Sequence, residues 1–168
     1  LPENLEKARI QFRQVRLMLV ALESRLARDA FYEDSFKLVE VPYLGMEHQS
    51  SVTYGNGYQN GYRGTDLSGS GWGMKFDFII IHEAGHEWFA NNITNRDIAD
   101  MWIHESFTAY SENLYLDYHF VTEAASAYVI GTRARIQNDS PIIGPYGVNR
   151  EGSGTDMYYK GSNMLHTL

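Results

Sequence analysis

The stretch that decides the fold runs from residue 78 to residue 110 and reads FIIIHEAGHEWFANNITNRDIADMWIHESFTAY. It contains an H-E-x-x-H motif, in which His82 and His86 flank Glu83. The isoleucines before the motif would also suit a buried strand. On a helix, however, residues four apart lie only about 40° apart around the axis, so both imidazoles face one point. The motif therefore predicts a helix over 76–92 that presents two imidazoles to a metal ion.

The chemistry of this motif suits zinc. Neutral imidazole nitrogens bind Zn²⁺ readily, and two of them leave room for a third protein ligand and a water molecule. Glu83 lies beside the metal position and could take a proton from that water. Taken alone, His82 and His86 could equally be two surface histidines on a helix.

A third ligand is available at Glu105, which follows His86 after 18 intervening residues. A helix end, a turn and a second helix, predicted over 104–119, are enough to return this carboxylate to the histidine pair. A His-His-Glu set with an open fourth position is typical of catalytic zinc sites. The sequence therefore predicts one zinc ion per chain, held by His82, His86 and Glu105.

The whole pattern resembles the aminopeptidase N family of zinc metallopeptidases, within the thermolysin-like zincins. That family also joins H-E-x-x-H to the third ligand by 18 residues, as this sequence does. Gly45-Met46-Glu47 resembles the family's Gly-x-Met-Glu-Asn motif, and the Tyr-Tyr-Lys-Gly of residues 158–161 resembles its Tyr-x-Lys-Gly motif. The likeness covers most of residues 30–168. Flanking residues agree as well, namely Trp88, Phe89, Asn91, Trp102 and the segment 107–110.

The resemblance implies roles for the two outer motifs. Glu47 would bind the free α-amino group of a peptide substrate, and Gly45 and Met46 would be substrate-binding residues beside it. Tyr158 would support the tetrahedral intermediate. Without that context Glu47 is an ordinary exposed carboxylate, and Tyr158 is one of twelve tyrosines.

Several residues near these motifs need separate interpretation. Leu44 stands where the family usually has Gly or Ala, and His48 and His104 each stand where it usually has Asn. The first two adjoin the amine-binding motif, so they bear on residue preference rather than on the metal ligands.

Glu112, seven residues after Glu105 and on the same helical face, could accept a hydrogen bond from a ligating histidine. Surface or packing positions are expected for His48, His119 and His166, and a solvated one for Glu87.

The remaining pattern predicts an α+β fold, a thermolysin-like zincin core that is mostly helical with a small edge-exposed β-sheet. Further helices are expected at 4–28, 121–137 and 157–168, strands at 36–41 and 51–54, and loops at 55–73 and 138–155. The apolar spacing of the first helix would suit either a coiled-coil seam or packing on a core. The glycine-rich loop matches no phosphate-binding motif.

Length and composition suit one globular domain, with 168 residues, 43% of them hydrophobic and 21% charged. The last helix has no C-terminal stop signal, and the resemblance implies an N-terminal β-domain and a C-terminal helical domain. Residues 1–168 are therefore expected to be a single domain, a fragment of a longer peptidase without those flanking domains.

A net charge of −7 disfavours nucleic-acid partners, and no apolar run is long enough to cross a bilayer.

These features together predict a zinc-dependent aminopeptidase that releases N-terminal residues from peptides with a free N-terminus. A zinc endopeptidase would share the metal site, and a relative acting on lipid epoxides would share every motif. A catalytically inactive scaffold is the non-enzyme alternative. Glu47 argues against internal cleavage, and Glu83 argues against an inactive scaffold. The sequence does not specify side-chain preference, oligomeric state or compartment.

Overall fold

A computed structural model describes all 168 residues and confirms the α+β fold class. The α-helices are α1 (Leu5–Gln11), α2 (Gln14–Arg25), α3 (Phe78–Gly85), α4 (Met101–His119), α5 (Thr122–Gly131) and α6 (Asp156–His166). The strands are β1 (Lys37–Glu40), β2 (Gly45–Met46) and β3 (Ser51–Tyr54). None of the helices combines the length and the apolar character that a membrane span requires.

The three strands form one small sheet in the order β1-β3-β2. β1 runs parallel to β3, while β2 runs antiparallel to it, with Gly45 opposite Tyr54. β2 is therefore an edge strand, and it lies against α3. A Cβ atom on Gly45 would come within 3.0 Å of Ile79 Cγ2 and 3.1 Å of Glu83 Oε1, so this close approach favours glycine.

The first helix differs from the prediction, because the expected helix over 4–28 breaks at Phe12 and ends at Arg25. The Phe12 ring packs edge-on against Tyr54, with 4.9 Å between ring centroids. The glutamines that flank the break, Gln11 and Gln14, both form hydrogen bonds with Asp77. Gln11 Nε2 donates to Asp77 Oδ2, and the Asp77 N–H donates to Gln14 Oε1, each at 2.8 Å. These long-range contacts hold the two sides of the break against Tyr54 and Asp77. The helix packs on a core, since Met18, Ala21 and Leu22 of α2 are fully buried in it.

The start of α3 is fixed by a buried side-chain cap. The Asp77 carboxylate accepts hydrogen bonds from the backbone N–H groups of Ile79 and Ile80, which would otherwise lack partners. Tyr54 Oη, 2.6 Å away, and Asn56 Nδ2, 2.8 Å away, donate to the same carboxylate. The apolar run after this cap is therefore helical, as the metal motif predicts, although the helix begins at Phe78 rather than at residue 76.

The end of α3 also differs from the prediction. Regular helix stops at Gly85, and the chain continues through a wide π-type turn over Glu87–Asn92, in which Phe89 and Ala90 leave helical dihedral angles. α4 then begins at Met101, three residues before the predicted start. The helix predicted over 121–137 is α5 followed by a short 3₁₀ segment, Thr132–Arg135.

α6 packs closely across α4 beside the predicted third ligand. A Cβ atom on Gly161 would overlap the Ser106 side chain, so the glycine of the Tyr-x-Lys-Gly segment permits this crossing. Ser106 Oγ donates to the Met157 carbonyl oxygen at 2.6 Å, which ties the two helices together. The crossing places Tyr158 next to Glu105.

Candidate active site

The three predicted metal ligands lie together between α3 and α4. His82 Nε2 and His86 Nε2 are each 3.5 Å from Glu105 Oε2, and one ligand atom from each residue lies within 4.8 Å of the other two. All three residues are buried. His82 lies in α3 and His86 follows its last residue with helical dihedral angles, so the four-residue spacing brings the imidazoles to one side. The turn between the helices returns the carboxylate to them.

The outer nitrogen of each imidazole has a fixed partner. His82 Nδ1 lies 2.8 Å from Glu112 Oε1, which is the contact that the spacing of Glu112 predicts. His86 Nδ1 lies 3.0 Å from the Phe89 carbonyl oxygen, which the π-type turn directs toward it, and 3.0 Å from Thr108 Oγ1. Since carboxylate and carbonyl oxygens accept hydrogen bonds, both Nδ1 atoms carry the proton. In the neutral imidazoles, both Nε2 lone pairs are then left free for a metal ion.

A further residue, Tyr128 on α5, holds Glu112 in place. Its hydroxyl donates to Glu112 Oε2 at 2.5 Å, and the tyrosine is only 2% exposed. The sequence carries no signal for this contact, because α5 meets α4 only through tertiary packing. The contact of Thr108 with His86 has a weak signal in the sequence, since Thr108 lies three residues after Glu105 and therefore faces the same side of α4.

The charges of the cluster fit a bound cation. Glu105 Oε2 is buried and has no hydrogen-bond partner, which is costly for a carboxylate oxygen. Although burial opposes the effect, the nearby imidazoles of His82 and His86 lower the pKa of Glu105, so it stays ionised. Burial likewise opposes protonation of His82, yet Glu105 and Glu112 raise its pKa well above the usual value. The cluster thus favours positive charge where its ligand atoms converge, and zinc fits this donor set.

Glu83 lies near both this cluster and Glu47. Glu47, Glu83 and His86 also offer ligand atoms within 4.8 Å of one another. Burial raises the pKa of Glu83, and the carboxylates of Glu47 and Glu105 add to the rise, while the two histidines oppose it. Glu83 is therefore a stronger base than an exposed glutamate and lies within reach of a molecule held at the cluster.

The segment Gly45-Met46-Glu47 forms the edge of the same cleft. Glu47 follows β2 directly, is half-buried, and has its carbonyl oxygen bound by Asn91 Nδ2 at 3.1 Å. The cleft has a volume of about 410 Å³ and contains Glu47, Glu83, Glu105 and Tyr158 in its lining. His48 is exposed, as expected, and does not line the cleft.

Tyr158 approaches the cluster from α6. Its ring centroid lies 5.9 Å from that of His82. Burial raises the pKa of the Tyr158 hydroxyl, and the negative charge of Glu105 raises it further, so the hydroxyl keeps its proton and can donate a hydrogen bond into the cleft.

Two neighbouring residues are more buried than an isolated motif suggests. Glu87 is 1% exposed and accepts the Ser50 N–H at 2.5 Å, so the expectation of a solvated position is wrong. The π-type turn after Gly85 directs this side chain toward the start of β3 instead of solvent.

His104 is also buried, and its Nε2 accepts the Asn95 N–H at 3.0 Å, which ties the connection between α3 and α4 to α4. The remaining surface or packing histidines, His119 and His166, are half-buried against tyrosines, as expected.

Comparison with known proteins shows the family of this chain. The family described as "Peptidase family M1 domain" matches residues 34–168. Aminopeptidase B of Rattus norvegicus is 44% identical over 34 residues, which cover 20% of this chain and 5% of that protein. Tricorn protease-interacting factor F2 of Thermoplasma acidophilum is 28% identical over 121 residues, which cover 60% of this chain and 15% of that protein. The chain thus spans only a small part of the length of these relatives.

A solved structure shows the same fold. It is the crystal structure of a substituted M1 zinc metallopeptidase from Deinococcus radiodurans bound to a Tyr-Ser-Ala substrate. The two structures align with a TM-score of 0.65 and 21% sequence identity, over 89% of this chain and 30% of the other. With the family match over most of the sequence, this establishes that the chain belongs to peptidase family M1, the aminopeptidase N family.

Proposed function

We propose that this chain carries the catalytic centre of a zinc-dependent aminopeptidase. The observation that supports this most directly is the buried cluster of His82, His86 and Glu105, whose unpartnered carboxylate oxygen faces two imidazole nitrogens. Family membership and the aminopeptidases among the matched relatives agree with the proposal.

In this proposal His82, His86 and Glu105 hold one Zn²⁺. When bound, zinc supplies a Lewis acid that lowers the pKa of water and polarises the scissile carbonyl group. Glu83 accepts the proton of the attacking water and delivers it to the leaving amine. The Tyr158 hydroxyl, which keeps its proton, donates a hydrogen bond to the developing oxyanion.

Glu47 gives the reaction its exopeptidase character. Its carboxylate borders the same cleft as Glu83, so it can pair with a protonated α-amino group close to the reacting bond. An internal peptide segment has no such charge to offer, and it would leave the half-buried carboxylate without a partner. Glu47 therefore favours an aminopeptidase over a zinc endopeptidase with the same metal ligands.

The experiment that tests this function measures hydrolysis of free and N-acetylated aminoacyl anilides by the intact protein, with and without a chelator. We expect the free substrates to be cleaved, the chelator to abolish cleavage, and added zinc to restore it. Hydrolysis that persists in the chelator, or hydrolysis of lipid epoxides without hydrolysis of any free aminoacyl substrate, would overturn the proposal.

Tyr128→Phe is expected to weaken zinc binding without removing a ligand. The substitution deletes only the hydroxyl that fixes Glu112, and Glu112 orients His82. Loss of such an outer hydrogen bond raises the dissociation constant for zinc by about tenfold or more. The measurement is a competition titration with a chromogenic chelator.

Tyr115→Phe is the matched control for this prediction. Tyr115 is equally buried in the same core, but its hydroxyl makes no hydrogen bond to the cluster. It should therefore leave the zinc affinity unchanged. Equal zinc affinities for the two variants would show that Tyr128 serves packing alone.

A further inference from the structure

Glu87 is a buried carboxylate that the proposed reaction does not use. It follows His86 directly, is 1% exposed, and its Oε1 accepts the Ser50 N–H at 2.5 Å. Its other oxygen, Oε2, is buried without a hydrogen-bond partner. Burying a carboxylate with a partner for only one oxygen costs free energy. The role of Glu87 therefore lies in the segment that it contacts.

That segment is the short turn that carries Glu47. Strand β2 precedes residues 47–50 and strand β3 follows them, so these four residues form the whole connection between the two strands. Ser50 is buried and has a left-handed backbone, with a φ of 56°. This conformation is costly for a residue other than glycine, so it persists only where surrounding contacts hold it. The hydrogen bond from the Ser50 N–H to Glu87 is one of these contacts.

The other end of the turn is held by the same part of the chain. Asn91 Nδ2 donates to the Glu47 carbonyl oxygen at 3.1 Å. Asn91 and Glu87 both belong to the π-type turn after α3 and lie four residues apart. One short segment thus contacts both the first and the last residue of the turn 47–50. The position of this turn relative to α3 is therefore fixed at two points.

The same segment also carries the centre with which Glu47 has to align. Glu83 lies in α3, and His86 follows the last residue of that helix. Ligand atoms of Glu47, Glu83 and His86 all lie within 4.8 Å of one another. Because Glu87 is the next residue after His86, its contact with Ser50 ties the position of the turn to that of the proposed metal site.

We propose that Glu87 and Asn91 are positioning residues for Glu47, whose contacts with the two ends of the turn set the spacing between the amine-binding carboxylate and the metal site. The inference rests on the proposed function, in which Glu47 pairs with the α-amino group. In a peptide, a single carbon atom joins the α-amino nitrogen to the scissile carbonyl carbon. Glu47 can therefore pair with the amine of a correctly placed substrate only if this spacing is kept.

The test uses the intact zinc-loaded protein and compares kcat/KM for free and N-acetylated aminoacyl anilides. Glu87→Leu has a side chain of similar size, but it leaves the Ser50 N–H without its acceptor. Misplacing a group by about 1 Å can cost about 100-fold in rate, so we expect the ratio of kcat/KM between free and acetylated substrates to fall at least about fivefold. The free substrate alone should lose activity. The zinc affinity, measured by competition with a chromogenic chelator, should not change.

Glu87→Gln is the conservative variant, because its amide oxygen can still accept the Ser50 N–H. It should keep the ratio within about twofold of that of the unsubstituted protein. Asn91→Ala removes the contact at the other end of the turn and should lower the ratio, as Glu87→Leu does. This second variant tests the proposal even if Glu87→Leu does not fold.

Asp29→Leu is the matched control. Asp29 is 7% exposed, and its Oδ1 accepts the Phe31 N–H at 2.9 Å, so it resembles Glu87 in its burial and in its backbone donor. It makes no hydrogen bond to the turn 47–50. Its replacement should therefore leave the ratio unchanged, even if the variant is less stable.

The outcomes separate this proposal from the function on which it rests. The positioning role would be overturned by a ratio that neither Glu87→Leu nor Asn91→Ala lowers, by equal losses on both substrates, or by a lowered zinc affinity in Glu87→Leu. A loss in Glu87→Gln or Asp29→Leu as large as in Glu87→Leu would overturn it as well. In each case the aminopeptidase function stands if the unsubstituted protein cleaves free substrates selectively. If that protein cleaves neither substrate, or both equally, the function and the positioning role are overturned together.

Discussion

Glu83→Gln is expected to lower kcat on a free aminoacyl anilide by about 10²- to 10⁴-fold, the usual contribution of general acid–base catalysis. Glutamine has nearly the same shape, but it cannot accept a proton from water. The shape matters, because the Glu83 carboxylate packs closely against Gly45, so closely that an added Cβ atom there would lie 3.1 Å from Glu83 Oε1. Glu83 is not among the proposed ligands, so the zinc content should not change.

The control for this prediction is Glu151→Gln, which removes an exposed carboxylate at the border of the same cleft. We expect its kcat to stay within a few-fold of the unsubstituted protein. A Glu83→Gln variant that contains stoichiometric zinc and retains full turnover would contradict the proposed role of Glu83. Metal analysis of each preparation must accompany the kinetics.

Glu47→Ala is expected to remove discrimination between free and acetylated substrates. Truncating one partner of a hydrogen-bonded charge pair costs about 2 to 5 kcal/mol, which corresponds to roughly 30-fold or more in kcat/KM. Only free-amine substrates form this pair, so their kcat/KM should fall by that factor. The acetylated substrates have no ammonium group to lose, so they should be affected little.

His48→Ala is the matched control for Glu47→Ala, since His48 is the next residue along the chain and is exposed. It should preserve the ratio of kcat/KM between free and acetylated substrates. Equal losses on both substrates in Glu47→Ala would show that Glu47 supports the structure of the cleft instead of binding the amine.

The centre of the site follows from short-range rules. His86 follows the last residue of α3 with helical dihedral angles and therefore lies on the same side as His82, four residues earlier. Glu112 shares a face of α4 with Glu105 because they are seven residues apart. Such spacings fix directions within one helix. The sequence therefore predicts both the convergence of the ligand atoms and the contact from Glu112 to His82.

The features that the sequence does not predict depend on contacts between distant segments. The π-type turn after α3 aims the Phe89 carbonyl oxygen at His86 and buries Glu87, but neither residue belongs to a regular pattern. Tyr128 reaches Glu112 only because α5 packs on α4. The break at Phe12 likewise reflects packing against Tyr54, which lies far along the chain.

A cavity of about 300 Å³ beside α3, lined by Tyr62, Leu67 and Phe78 among others, shows the same limit of local patterns. Glycines and polar residues in 55–73 correctly predict an irregular segment. They carry no information on where that segment lies. Its position depends on hydrogen bonds from the side chains of Asn56 and Arg135. Tyr62 and Leu67 consequently look like ordinary loop residues in the sequence and become part of a wall in the structure.

The most direct test of the account is the zinc content of the intact protein, purified without chelator and then reconstituted. We expect one zinc ion per chain in the unsubstituted protein and in Glu83→Gln, and a large loss of affinity in Glu105→Ala. Absence of stoichiometric zinc after reconstitution would contradict the proposed site. So would full zinc binding in a variant in which His82, His86 and Glu105 are all replaced by alanine.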